Sequence, residues 1–207
     1  LLVEPSTDEE ERKEYSSIIR NNTDLMLNLV NDVLDLSRME TGDLHFDIKD
    51  HLLLVCCQMA LESVRHRIPD GVKLTFSPAG EPIVVHVDNL RLQQLLTNLL
   101  TNAAKFTEKG EINLSFQLEP DRKKVCIAVT DTGAGIPLEK QATIFNRFEK
   151  LDDYKPGVGL GLSICLLIAE RLDGALFIDS SYTDGARFVL ILSCEIDSSI
   201  YNPPIEV

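Results

Sequence analysis

The sequence predicts an α+β fold, an α/β sandwich in which helices cover one face of a mixed sheet, preceded by one long bundle helix. Three observations predict it. An amphipathic helical pattern runs from Asp8 to Glu40 without a break. Two stretches with strand-like alternation, 111–118 and 125–130, are separated by turn residues and indicate a hairpin. Helical periodicity recurs at 91–107 and 163–172, so helices and strands are mixed along the chain.

Composition and charge limit the kinds of partner. The chain has 207 residues, of which 44% are hydrophobic and 26% are charged, as in ordinary soluble globular proteins. The formal net charge is −13, so the chain is a poor partner for a nucleic-acid backbone. A polyanion such as ATP would have to bind through a local site made of backbone amides, a metal ion or a few cations.

Cysteine usage and hydropathy indicate a reduced, soluble protein. The five cysteines are odd in number and none forms a C-x-x-C pair, which favours buried thiols over a disulfide or a zinc site. No apolar run approaches the ~20 residues that span a bilayer, and no signal-peptide pattern opens the chain. These features predict a cytoplasmic piece and leave open a parent protein that is anchored in the inner membrane.

The long N-terminal helix carries a wide apolar seam. Ser6 and Thr7 are cap-forming residues before an acidic first turn, and Gly42 is a typical C-cap residue. From Tyr15 to Leu36, the residues of this seam recur at alternating steps of four and three, and all of them except Asn22 are apolar. Such a long helix favours a bundle with other helices, and a helix folded back on its own domain is the alternative.

The remaining chain predicts further elements. Strands are expected at 46–49, 72–76, 83–87, 175–179 and 187–192, and helices at 52–64 and 138–145. The helix 52–64 is apolar nearly all round. The tail 196–207, which contains Asn202-Pro203-Pro204, has the composition of a linker.

The stretch Arg91–Thr107 has an apolar face and an unusual polar face. Its apolar residues are Leu92, Leu95, Leu96, Leu99, Ala103 and Phe106. Its polar face bears Asn98 and Asn102 one turn apart and then Lys105. Asparagine is a mediocre helix former, so two of them in mid-helix call for a reason. Neutral oxygen ligands followed by a cation suit Mg²⁺ bound to phosphates, and a solvated surface is the alternative.

Two glycine-rich stretches come later in the chain. Asp131-Thr132-Gly133-Ala134-Gly135 follows a predicted strand, so a flat ligand can approach the backbone while the carboxylate accepts from an amino group such as that of adenine. A simple turn is the alternative. Gly157-Val158-Gly159-Leu160-Gly161-Leu162 precedes a helix, where free backbone amides bind anions. A dinucleotide-binding fingerprint is set aside because this stretch lies late in the chain, and a P-loop because no Gly-Lys-Ser/Thr occurs.

An aromatic motif, Phe145-Asn146-Arg147-Phe148, lies between the two glycine-rich stretches. Two aromatic residues around an arginine, followed by the charged run 149–156, predict a hinged lid over the site. Arg147, Lys150 or Lys155 could reach a phosphate from that lid. An ordinary helix end with its phenylalanines in the core is the alternative.

The order of these four stretches resembles that of the catalytic, ATP-binding domain of sensor histidine kinases. In that family Asn98-x₃-Asn102-x₂-Lys105, Asp131-x-Gly-x-Gly, Phe-x-x-Phe and Gly-x-Gly-Leu-Gly-Leu correspond to the N, G1, F and G2 boxes. The resemblance implies a Bergerat, or GHKL-type, ATP-binding fold for residues 43–195. The helix before it resembles the second helix of the family's dimerisation and phosphoacceptor hairpin, so 1–42 is expected to be part of that hairpin.

The resemblance also implies roles for individual residues. Asn102 would ligate Mg²⁺ on the ATP phosphates, with Asn98 beside it and Lys105 on the phosphates. Asp131 would bind the adenine amine. The other implied nucleotide contacts are Gly133, Gly135, Ile136, Phe145, Phe148, Gly157, Gly159, Leu160, Gly161 and Leu162. The residues expected to assist phosphoryl transfer are Asn98, Lys105, Arg147 and Lys150.

Two positions depart from the family pattern. Lys150 stands where many members have an arginine after the F box, and lysine lacks the bidentate geometry of arginine. Gly185-Ala186-Arg187-Phe188 replaces the small hydroxyl residues that are usual in the last glycine box.

The family's phosphoacceptor is a histidine followed by an acidic residue. None of His45, His51, His66 and His86 precedes Asp or Glu, and all follow the long helix. The acceptor is therefore expected upstream of residue 1, and this chain is expected to bind Mg-ATP without phosphorylating itself. The resemblance implies transfer to a histidine of the same or a partner subunit, relay to a response-regulator receiver domain, and a homodimer formed through the hairpin in the intact protein.

Two other functions stay open. A hydrolytic ATPase of the wider fold, related to gyrase, heat-shock chaperones and mismatch-repair proteins, generally has a glutamate where this chain has Asn98. A docking module that has lost its nucleotide would not be expected to keep every binding position filled, as this sequence does.

Overall fold

The structure is a computed structural model, and it describes residues 9–41, 45–120, 123–152 and 158–196. The chain divides into two compact units, residues 1–44 and 45–207. The features predicted at Ser6, Thr7, Gly42, Lys155, Gly157 and 197–207 lie outside the described residues.

The first unit contains one long helix, α1, from Glu9 to Thr41. Most of its described apolar side chains are exposed: Ile18, Ile19, Met26, Leu27, Val30, Val33 and Leu34. Leu36 is buried, and Tyr15 and Leu29 are half-buried. The seam predicted from the sequence is therefore present as a helical stripe. In the described part of the chain, no helix combines the length and apolar content needed to cross a bilayer.

The second unit alternates strands and helices. Its elements are β1 (Lys49–Leu52), α2 (Leu53–Val64), β2 (Val72–Ser77), β3 (Ile83–Val87), α3 (Asn89–Phe106), β4 (Gly110–Leu118), β5 (Lys124–Asp131), α4 (Leu138–Gln141), α5 (Gly161–Arg171), β6 (Ala175–Ile178) and β7 (Ala186–Ile196). The strands form one sheet in the order β1-β3-β7-β5-β4-β2, with β6 also paired to β7. Only β2 and β4 pair in parallel among these strands. The predicted mixed sheet is confirmed.

Three helices form a layer on the sheet, with α3 at its centre. α3 packs against α2 and α5 as well as against β4 and β5. The carboxylate of Asp88 accepts from the backbone N–H of Arg91 at 3.1 Å and caps the helix. Leu92, Leu95, Leu96 and Leu100 of this helix are completely buried. The predicted helical layer is thereby confirmed.

Several predicted details differ in the structure. β1 covers Lys49–Leu52 instead of 46–49 because its pairing with β3 joins Lys49 to Val87 and Leu52 to Val84. α4 ends at Gln141 instead of 145 because turns follow it.

The exposure of single side chains also differs from the sequence pattern. Phe106 is half-buried and not part of the core stripe of α3. α2 is not buried all round, since Leu54, Val55 and Met59 are 40%, 46% and 51% exposed. The residues of α2 that face the sheet and α3 are fully or nearly fully buried.

The cysteines are free thiols, as predicted. Cys56, Cys57 and Cys165 are buried, and Cys126 and Cys194 are half-buried. Burial raises the pKa of Cys56 to about 11 and raises the pKa of Cys57 further. The adjacent pair therefore stays protonated at neutral pH, which makes both thiols poor nucleophiles.

Candidate functional site

The carboxylate of Asp131 stands at the end of β5 and is 3% exposed. Its Oδ1 accepts hydrogen bonds from the backbone N–H of Gly133 at 2.9 Å and of Ala186 at 3.3 Å. Burial raises the pKa of this carboxyl, and the two hydrogen bonds lower it by less. Among the described residues both of its hydrogen bonds go to Oδ1, which leaves Oδ2 with none.

The loop after Asp131 is pressed between two other backbone segments, and this packing requires glycine. A Cβ on Gly133 would collide with the carbonyl oxygen of Phe106, to which the N–H of Ala134 donates at 3.2 Å. Gly135 has a φ of +70°, in the left-handed region. A Cβ on Gly185 would collide with the carbonyl oxygen of Asp131. We call residues 132–137 the G1 loop.

The sequence pattern identifies Gly185 only as part of an altered glycine box. Its place against the G1 loop depends on the pairing of β5 with β7, which joins Asp131 to Ala186. The local signal that could have found it is the Asp184-Gly185 turn dipeptide that directly precedes β7.

A cavity of about 740 Å³ opens beside the G1 loop. It brings the predicted residues Gly133 and Gly135 together with Phe106, which the sequence pattern had placed in the core. The other lining residues are Glu108, Lys109, Thr132, Ala134, Pro137, Glu139, Lys140, Leu151 and Asp152. The exposed edge of Phe106 thus belongs to the candidate site, where an aromatic ring can contact a flat ligand.

The polar face of α3 forms a second part of the site. Asn98, Asn102 and Lys105 are half-buried and do not line the cavity beside the G1 loop. The amide of Asn98 lies 3.8 Å from the position that a Cβ on Gly161 would occupy, so the N box faces the last glycine of the G2 box. The ammonium of Lys105 lies 4.9 Å from the ring centre of Phe106, which connects this face to the cavity.

The G2 box opens α5. Leu160 is buried, Gly161 begins the helix, and Leu162 is half-buried. Among the residues that the structure describes, no side chain caps this helix start, so its first backbone N–H groups keep their capacity to bind an anion. Asn98 lies beside this helix start, across from Gly161.

The two phenylalanines of the F box have different surroundings. Phe145 packs edge-on against Phe188 of β7, with 6.3 Å between the ring centres. Phe148 is 65% exposed and has a φ of +63°. Phe145 is half-buried, so neither phenylalanine is a fully buried core residue as the alternative reading expected. Between them, Arg147 is exposed, and Lys150 just after them is half-buried.

The residues on either side of the predicted lid segment are hydrogen-bonded to each other. The N–H of Phe148 donates to the carbonyl of Gly159 at 2.9 Å. Gly159 has a φ of +80°, and a Cβ there would lie 2.7 Å from the carbonyl oxygen of Glu149. Lys140 of α4 adds an ion pair with Glu149 at 2.9 Å. Residues 148 and 159, on either side of the predicted lid segment, therefore lie next to each other.

The donor set fits a metal ion that is bound mainly by phosphate. In the described part of the chain, no group of three or more His, Cys, Asp or Glu side chains could hold a metal ion. Asn102 offers one neutral amide oxygen on the half-buried face of α3. Mg²⁺ takes oxygen ligands and keeps several waters, so one protein ligand beside phosphate oxygens is compatible with its chemistry.

Comparison with protein families assigns both units. Residues 87–196 match the family described as histidine kinase-, DNA gyrase B-, and HSP90-like ATPase, and residues 1–42 match the His kinase A (phospho-acceptor) domain. The chain therefore belongs to the histidine kinase-, DNA gyrase B-, and HSP90-like ATPase family, and its relatives within that family are histidine kinases. The predicted resemblance to sensor histidine kinases and the GHKL-type fold are confirmed.

Curated relatives show how much of a longer protein this chain resembles. It is 36% identical over 179 residues to two-component system protein A of Emericella nidulans, covering 81% of this chain and 26% of that protein. It is 31% identical over 207 residues to hybrid signal transduction histidine kinase A of Dictyostelium discoideum, covering 93% of this chain and 10% of that protein. The chain thus spans about a quarter or less of the length of these relatives.

Solved structures show the same architecture. Full-length ShkA in complex with AMPPNP superposes with a TM-score of 0.78 and 27% identity, covering 94% of this chain and 41% of that one. The catalytic domain of the histidine kinase ThkA superposes with a TM-score of 0.61 and 27% identity, covering 71% of this chain and 95% of that one.

Proposed function

We propose that this chain is the ATP-binding catalytic part of a two-component sensor histidine kinase. Residues 43–195 would be the catalytic domain, 1–42 part of the dimerisation and phosphoacceptor hairpin, and 196–207 a linker. The observation that carries the proposal is the buried carboxylate of Asp131. It is held through Oδ1 by the backbone of Gly133 and Ala186, beside a glycine loop too close-packed for side chains.

Nucleotide binding follows from the two parts of the site. The adenine amine donates to Asp131, while Gly133, Gly135 and Ile136 lie along the base. The phosphates lie over the polar face of α3, and the uncapped start of α5 at Gly161 supplies backbone donors. Asn102 would hold Mg²⁺ through its amide oxygen, and the ion would neutralise charge on the phosphates.

The catalytic demand on this chain is positioning and charge neutralisation. Lys105 and Asn98 hold the transferring phosphate from α3, and Arg147 or Lys150 approach it from the lid side. The γ-phosphoryl group passes to a nitrogen of a histidine that is none of the four in this chain. That histidine belongs to the same subunit or to a partner subunit. A receiver-domain aspartate of a response regulator then accepts the phosphoryl group.

The intact protein would act as a homodimer, with this part in the cytoplasm. Several relatives are named hybrid signal transduction histidine kinases, which supports a receiver domain in the same polypeptide as one arrangement. No nucleic acid is involved, since the net charge of −13 opposes contact with its backbone.

Thermal unfolding with and without Mg-ATP tests the proposal. Saturating Mg-ATP at 100 times its Kd should stabilise the chain by about 2.7 kcal/mol and raise the Tm by a few degrees. No phosphohistidine should form on the 207-residue chain. An unchanged Tm would favour a docking module that has lost nucleotide, and steady ATP turnover without an acceptor would favour the hydrolytic ATPase.

A further inference from the structure

The two ends of the G1 loop are held in different ways. At the first end the backbone N–H of Ala134 donates to the carbonyl of Phe106, and the backbone N–H of Gly133 donates to the carboxylate Oδ1 of Asp131. At the other end the carbonyl of Ile136 accepts a hydrogen bond from the side-chain amide of Gln141, Nε2 to O, at 3.0 Å. At the end that leads into α4, the carbonyl of Pro137 is held by backbone N–H groups of the helix, whereas the carbonyl of Ile136 is held by the side chain of Gln141.

Gln141 is itself held by a third segment. The hydroxyl of Ser180, in the turn between β6 and β7, donates to Oε1 of Gln141 at 2.6 Å. One face of the amide donates while the other accepts, and among uncharged side chains of this length only glutamine offers both. The backbone N–H of Gln141 also donates to the carbonyl of Pro137 at 3.2 Å.

Gln141 thus joins the G1 loop, the helix that leads to the F box and the β6–β7 turn. On the basis of the proposed function, we infer that Gln141 is a positioning residue for the nucleotide. Its amide fixes the carbonyl of Ile136, and with it the part of the G1 loop that lies along the base. Ser180 fixes which end of the amide faces that carbonyl.

The donor and the acceptor of the Gln141 amide can be tested by different substitutions. Gln141→Leu removes both the donor and the acceptor. Gln141→Glu keeps the acceptor for Ser180 but places a carboxylate oxygen against the carbonyl of Ile136, so it should behave like the leucine variant. Ser180→Ala leaves the amide free to rotate, and its effect should be absent once Gln141 is already leucine, since the two residues act in series.

Calorimetric titration with a non-hydrolysable ATP analogue and Mg²⁺ tests the inference on the whole chain. Gln141→Leu and Gln141→Glu should each raise the Kd about twofold to tenfold, the factor that corresponds to one ordinary hydrogen bond. Ser180→Ala should raise the Kd by no more than Gln141→Leu does, and the double variant should have the same Kd as Gln141→Leu. Gln58→Leu on the exposed side of α2 is the matched control and should leave the Kd unchanged.

The free energy of unfolding without nucleotide separates positioning from a structural role. If Gln141 only stabilised the fold, its replacement would lower the free energy of unfolding and leave the Kd of the folded protein unchanged. This result would overturn the inference. So would wild-type affinity in Gln141→Glu, or additive effects in the double variant. Ser180 is exposed, so its variant folds in any case. A wild-type chain that fails to bind the analogue would instead overturn the proposed function.

Discussion

Two amphipathic helices of this chain have similar sequence patterns and different surroundings. In α3 the apolar face is closed off, with Leu95, Leu96 and Leu99 at most 1% exposed. In α1 the corresponding stripe is open, with Met26 and Leu27 69% and 57% exposed. α3 lies among a sheet and two helices of its own unit, whereas α1 is the one described element of residues 1–44. Periodicity therefore predicts which face of a helix is apolar, but it does not predict what covers that face.

The largest expected effect compares the same truncation in the two helices. Leu96→Ala should destabilise the ATPase unit by about 2–5 kcal/mol, because it leaves a cavity at a completely buried position. Leu27→Ala in α1 should change stability by about 0.5 kcal/mol or less, since the side chain is 57% exposed. Urea unfolding of both variants measures this difference. Equal losses would mean that the stripe of α1 is covered in solution.

A second comparison concerns one asparagine on each of the two helices. Asn102→Ala should weaken Mg-ATP binding about tenfold, so the stabilisation by ligand at 100 times the wild-type Kd falls from about 2.7 to about 1.4 kcal/mol. Asn22→Ala removes an amide of α1 that donates to the carbonyl of Ile18 in its own helix, at 2.9 Å. It should leave the ligand effect intact. The Tm shift caused by Mg-ATP measures the effect of each variant. A shift of wild-type size in Asn102→Ala would mean that Asn102 does not belong to the site.

The smallest expected effect concerns two aspartates whose pKa values are both raised by burial, Asp131 at the site and Asp32 on α1. A carboxyl with a raised pKa in the folded state binds a proton there more tightly than in the unfolded chain. Its contribution to stability therefore falls as the pH rises from the ordinary aspartate pKa of 3.8 through the raised pKa. Either Asn variant should flatten the pH dependence of unfolding in this range.

Nucleotide binding should separate these two aspartates. Asp131→Asn should also weaken ATP binding about tenfold or more, because it removes a charge-assisted hydrogen bond. Asp32→Asn should not affect ATP binding. Titration calorimetry at pH 7 measures the difference. If both variants bind ATP like the wild type, the adenine contact does not involve Asp131.

Much of the fold was predictable from local patterns. The strand 83–87 and the hairpin of β4 and β5 follow from strict alternation, and their pairing is antiparallel as expected. Element ends were harder to predict. The position of β1 is set by its register with β3, which no property of residues 46–52 alone specifies. α4 stops at Gln141, and turn residues follow it where the sequence pattern predicted a helix to 145.

The candidate site was predictable where its residues are close in sequence. The N box asparagines, the G1 glycines and the start of α5 each form a local motif with its own chemistry. Phe106 was assigned to the core because its spacing fits the apolar stripe of α3, yet it lines the cavity at the end of that helix. A side chain in the last turn of a helix can be partly exposed even when the helical period places it on the buried face.

The sequence by itself determined the helical and strand segments, the apolar faces and the order of the four nucleotide-binding motifs, because each depends on spacing within a few turns. Only the tertiary structure decided how these motifs are held. Ser180 and Gln141 are 39 residues apart, and Ala186 and Asp131 are 55 apart. Such contacts depend on strand pairing across the whole sheet, which brings distant residues together without any local pattern that marks them. For the same reason, only the fold closes the apolar face of α3 and leaves that of α1 open.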